Sequence, residues 1–253
     1  MTEKEALFEY CLRLGDNSLI LGHRLSEWCG HGPILEEDIA IANVAQDLLG
    51  QARNLLTYAG KVEGKGRSED DLAYLRDVTD FKNATLIEQE NGDFGKTIMR
   101  QFLIDAHNFL VYTELCNSTD ETIAAIAAKA IKEVTYHLRH STQWVLRLGD
   151  GTEESHTRMT NALTELWRFT DDLFYTDEVD ELMAAAGIGV DTADIKKQWR
   201  TQVSEVLQQA TLTVPDFDGY MFYGGKTGKH TEHLGYILAE MQYLQRTYPG
   251  ATW

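Results

Sequence analysis

Apolar residues return at intervals of three and four along almost all of this 253-residue chain, and only three prolines, at 33, 215 and 249, could interrupt them. Proline breaks a helix by removing a donor and clashing with the preceding turn. All three fall between or after the periodic stretches, so every long stretch is free to be helical. Strand-like alternation is scarce, and the fold class is therefore all-α.

The periodicity predicts long helices near 4–28, 35–62, 94–116 and 120–148, with stripes such as Leu7, Leu14, Leu21 and Leu25 in the first and Val134, Leu138, Val145 and Leu148 in the fourth. A short helix is expected near 69–76, followed by a loop or short helix to about 92. Further helices are expected near 153–175, 192–211 and 231–247. The segments Gly30-His31-Gly32-Pro33 and Gly149-Asp150-Gly151 end their helices by chain-breaking chemistry. The expected organisation is one domain, 1–253, with a four-helix bundle core at about 4–149 and a helical C-terminal elaboration at about 152–247.

Net charge is −17, which disfavours nucleic acid and anionic membrane as partners. No apolar run approaches the ~20 residues of a membrane span. The first residues, Met1-Thr2-Glu3-Lys4-Glu5, have no basic start followed by an apolar core, so a cytoplasmic location is expected. Cys11, Cys29 and Cys116 are odd in number and far apart, which suggests neither a disulfide framework nor a zinc site.

Four helices in a bundle raise the question of what points inward. Spacing places one polar residue from each long helix on its apolar stripe: Ser18, Gln51, Asp105 and His137. In a di-iron bundle two helices each give a carboxylate and the other two each give Glu-x-x-His. Here the last two pairs read Leu48 with Gln51 and Val134 with His137. One carboxylate and one imidazole do not neutralise two iron cations. The six positions Ser18, Leu48, Gln51, Asp105, Val134 and His137 thus look like a vestigial metal site, with Asp105, His137 and Gln51 expected to satisfy one another as buried polar groups. No catalytic residue and no metal is assigned to this chain.

Other patterns are weaker. Glu153-Glu154-Ser155-His156 has metal-ligand spacing but follows a helix break, so it reads as the first turn of a helix. The pairs His137/His140 and His230/His233 have three-residue spacing but no convergent carboxylate or cysteine, and solvated or hydrogen-bonded histidines are expected there. The loop Gly224-Gly225-Lys226-Thr227-Gly228-Lys229 lacks a preceding strand and P-loop spacing; Lys226 and Lys229 are candidates for contact with an anionic partner or phosphate, and Thr231 for capping the next helix.

The segments Leu12-Arg13-Leu14-Gly15-Asp16-Asn17, Asp47-Leu48-Leu49-Gly50-Gln51-Ala52-Arg53-Asn54, Tyr136-His137-Leu138-Arg139 and His230-Thr231-Glu232-His233-Leu234-Gly235 carry a family resemblance. The chain resembles, nearly end to end, the non-catalytic ferritin-like subunits of bacterial ring 1,2-phenylacetyl-CoA epoxidases. That resemblance implies a ferritin-like fold and a structural role beside a related catalytic subunit holding a di-iron centre and phenylacetyl-CoA. It also implies a reductase subunit with flavin and an iron–sulfur cluster, fed by NADPH. Partners would be the di-iron subunit and the other subunits, with a homodimer of the isolated chain compatible with such packing. The rival reading is a ferritin-like oxidase or oxygenase with a cryptic metal of its own at Asp105 and His137, completed by Glu133 or Asp47 after a register shift.

Overall fold

The computed structural model describes residues 1–216 and 219–251. Its α-helices are α1 (Glu3–Ser26), α2 (Leu35–Glu63), α3 (Glu69–Tyr74), α4 (Phe94–Leu115), α5 (Glu121–Gly149), α6 (Glu153–Trp167), α7 (Glu178–Ala185), α8 (Thr192–Gln209), α9 (Glu232–Met241) and α10 (Tyr243–Thr247). No strand occurs among the described residues. The fold is all-α and ferritin-like, with additional C-terminal helices.

The four long helices lie where the periodicity places them. The C-terminal half differs in detail. The stretch expected as one helix over 153–175 ends at Trp167 and continues as a 3-10 turn, Thr170–Phe174. The stretch over 231–247 breaks at Gln242, whose buried amide donates to the carbonyls of Ala73 and Arg76 at 3.1 and 3.0 Å. The two-turn helix α7 has no counterpart in the expected helices; eight residues carry too little periodicity to announce one.

Two compact units are woven from non-contiguous segments: Met1–Gln89, Asp177–Met183 and Gly224–Trp253 form one, and Glu90–Thr176 with Ala184–Tyr223 the other. In the first unit α1 and α2 pack closely because Gly15 and Gly22 lack side chains. A Cβ on Gly15 would sit 2.8 Å from Leu56 Cδ2, and one on Gly22 3.1 Å from Leu49 Cγ. Asp16, fully buried on α1, binds the Arg76 guanidinium and accepts from the Lys82 backbone N–H at 2.8 Å. Arg13 grips both oxygens of Asp177 at 2.8 and 2.7 Å and Asp180 at 2.9 Å, which ties the start of α7 to α1.

In the second unit α4 and α5 pair through a short connection, and α6 and α8 pack beside them. Trp199 of α8 is buried and its Nε1–H donates to the Leu103 carbonyl at 2.9 Å. Asp93, Asp120, Thr152 and Asp191 cap the N-termini of α4, α5, α6 and α8, each accepting from backbone N–H groups of the first turn.

Candidate functional site

Each unit holds three of the six inward positions. In the first, Ser18, Leu48 and Gln51 are all buried. Ser18 turns its hydroxyl back to the Leu14 carbonyl at 3.2 Å, a local use that takes its proton out of the core. In the second, Asp105, Val134 and His137 are buried to 1 % exposure or less.

Asp105 is the chemical centre of that second set. Its Oδ1 accepts from Gln101 Nε2 at 2.6 Å and its Oδ2 from Ser141 Oγ at 2.8 Å. Ser141 also lies 3.0 Å from the His137 carbonyl, so its hydroxyl sits between the carboxylate and the α5 backbone. Burial pushes the Asp105 carboxyl up to about 6, against the nearby His137 charge and the two hydrogen bonds, all of which favour ionisation. Periodicity does not single out Gln101 and Ser141, although one stands four residues before Asp105 and the other four after His137, on the same helix faces.

The di-iron ligand set that a ferritin-like fold implies finds no fit in these residues. The first unit offers a hydroxyl, a hydrocarbon and an amide; the second offers one carboxylate, one hydrocarbon and one imidazole. The Asp105 oxygens already serve two donors from the chain itself. Leu48 is 1 % and Val134 0 % exposed, and packed hydrocarbon there stabilises the core by ~1.5–3 kcal/mol each. Among the described residues no group of three or more His, Cys, Asp or Glu side chains is placed to hold a metal ion.

The Gly/Lys loop is built inward. Its centre is a 3-10 turn, Gly225–Thr227. Lys226 places its ammonium 3.1 Å from both Asp180 oxygens, beside Arg13, so this candidate for contact with an outside anion is engaged within its own unit. Lys229 is exposed.

His230 does have a carboxylate partner, which nothing near it in the sequence announces. Its Nδ1 lies 2.8 Å from Glu88 Oε2 and its Nε2 2.9 Å from the Phe81 carbonyl. Both ring nitrogens face acceptors, so the imidazolium is the form that satisfies them, and its pKa is raised: Glu88 and the Phe81 carbonyl outweigh the burial that opposes charge. Thr231 starts α9, but its hydroxyl binds Glu88 Oε1 at 2.7 Å instead of capping the helix. Glu88 comes from the irregular 81–92 stretch, where no local period marks it. His156, in the other metal-like pattern, meets the Gly149 carbonyl at 2.7 Å in a first turn capped by Thr152.

A family model described as phenylacetic acid catabolic protein matches residues 1–253. The chain belongs to that family. Within the phenylacetic acid catabolic proteins it is similar to the C subunit of 1,2-phenylacetyl-CoA epoxidase from Escherichia coli (strain K12), 52% identical over 247 residues that cover 98% of this chain and 99% of the relative. The match takes in α9, which packs against α1. In this family member no helix among the described residues is long and apolar enough to cross a membrane.

Proposed function

We propose that the chain is the structural, non-catalytic subunit of a phenylacetyl-CoA epoxidase, a cytoplasmic protein that pairs with the di-iron subunit and stabilises it during aerobic phenylacetate breakdown. One observation carries the reading. A chain 52% identical from end to end to a subunit of that epoxidase buries Leu48 and Val134 where a di-iron bundle needs carboxylates. In this reading the iron belongs to the catalytic subunit, and flavin, iron–sulfur cluster and NADPH to the reductase.

The physical logic is preorganisation. Ligands in a partner bundle keep fixed distances only if the surrounding shell is rigid, and a second bundle packed on it supplies rigidity without chemistry of its own. Replacing charged ligands by hydrocarbon suits that task, because a half-built charged site would leave buried ions uncompensated. The test is co-expression with the cognate di-iron subunit. The two are expected to elute together at micromolar concentration, with iron tracking the catalytic subunit and none bound stoichiometrically by this chain alone. Separate elution, or stoichiometric iron in the isolated chain after growth in iron-rich medium, refutes the proposal.

A further inference from the structure

Beside the C-terminal helix α10 lies a groove of about 190 Å³, lined by Asp70, Asp71, Tyr74, Leu75, Gln245 and Tyr248 together with the turn that follows α10. All of these residues belong to one unit. The volume is below the ~300–1,000 Å³ of pockets that enclose a free small molecule, and matches a single side chain better.

Its chemistry is one-sided. Every charged residue lining it is acidic, and neither Lys nor Arg is among the described lining residues. Asp71 is occupied as a cap, accepting from the Ser68 N–H and hydroxyl at 2.8 Å each, whereas Asp70 stands exposed at the rim. Gln245 Oε1 is buried and receives no hydrogen bond from any described residue. Tyr74 and Tyr248 offer aromatic faces, and Leu75 and Tyr248 are 56% and 55% exposed. Further along the same C-terminal helices Tyr236, Tyr243 and Leu244 are also exposed. Clustered exposed aromatics mark protein contacts, and tyrosine is enriched at their energetic centres.

We infer that this groove is a docking point for a protein partner, taking one lysine or arginine side chain from another subunit of the complex. A cation answers both the exposed Asp70 carboxylate and the tyrosine rings that line the groove. With a net charge of −17 on this chain, the complementary surface is basic, and its approach is steered by charge. The inference rests on the proposed membership of an epoxidase complex and adds where the contact is made.

The experiment measures binding of the full-length chain to the co-purified remaining subunits at low and moderate salt. Asp70→Lys and Tyr248→Ala should each weaken binding about tenfold or more, and Asp70→Lys should also reduce its salt dependence. Both residues are exposed, so thermal stability should remain that of the wild type, which the melt of each variant checks. Leu35→Asp, at the exposed start of α2, is the control and should bind normally. Wild-type affinity in both groove variants overturns the inference while leaving the complex intact; so does a loss confined to Leu35→Asp. Failure of the wild-type chain to bind any of the other subunits removes the proposed function and this contact with it.

Discussion

Asp105→Asn tests what the buried polar cluster of α4 and α5 is for. The Asp105 carboxyl titrates at about 6 in the folded chain against an ordinary 3.8, so at neutral pH it is ionised in a place that prefers it neutral. At ~1.4 kcal/mol per pKa unit, that preference amounts to ~3 kcal/mol. The sign follows from linkage. A raised acid pKa means the folded state binds the proton more tightly, so stability falls as pH climbs from about 4 to about 6 and stays lowered above. Asparagine imitates the neutral form. Its Oδ1 still accepts from Gln101, and Ser141 reverses, accepting from the new amide while donating to the His137 carbonyl that lies 3.0 Å away. At pH 7.5 the variant should therefore be more stable by ~1–3 kcal/mol, read as a Tm rise of ~2–10 °C. Urea titrations across pH 4–8 should show the advantage growing from near zero at the acid end and levelling off above neutrality. A variant less stable than wild type at pH 7.5, or an advantage independent of pH, would refute the reasoning and indicate that the carboxylate is retained for charge that the chain itself uses.

Two further outcomes follow from the first unit. Gly228 has φ +81°, and a Cβ there would run into the Thr79 carbonyl, whereas Gly66, at φ +79°, has open space around it. Gly228→Ala should cost at least ~2 kcal/mol and Gly66→Ala only the ~1–2 kcal/mol of the left-handed backbone, compared by chemical denaturation; equal losses would deny the close approach. The raised pKa of His230 gives stability that is complete below the unfolded value of about 6.5 and is lost as pH rises through the higher folded value. Wild-type denaturation midpoints should accordingly decline as pH rises above about 6.5, and His230→Gln should flatten that decline; parallel profiles would mean that the Glu88 pair does not hold the proton.

The long helices were legible because burial imposes a period, and the period of α1, α2, α4 and α5 survives in the residue order without any knowledge of neighbours. The same holds for the six inward positions, since helical spacing alone aligns Leu48 with Gln51 and Val134 with His137. What could be read for that reason is residue type at a known phase, hydrocarbon at Leu48 and Val134 beside polar Gln51 and His137. Gln101 and Ser141 lie equally within reach of an i, i+4 relation to Asp105 and His137, but an amide and a hydroxyl on a helix announce no partner by residue type alone.

Long-range pairings had no such trace. Glu88 meets His230 across 142 positions, and Arg13 meets Asp177 across 164, because the chain returns to α1 only after building most of a second unit. Local periodicity records which face of a helix is dry, but not which distant charge comes to rest on it. That is why Lys226 could look like a free cation in the sequence and prove to be half of an ion pair with Asp180. Sequence alone thus determined the helices and their apolar faces. Tertiary structure decided which buried charges neutralise one another, since only packing removes the water that would otherwise do so.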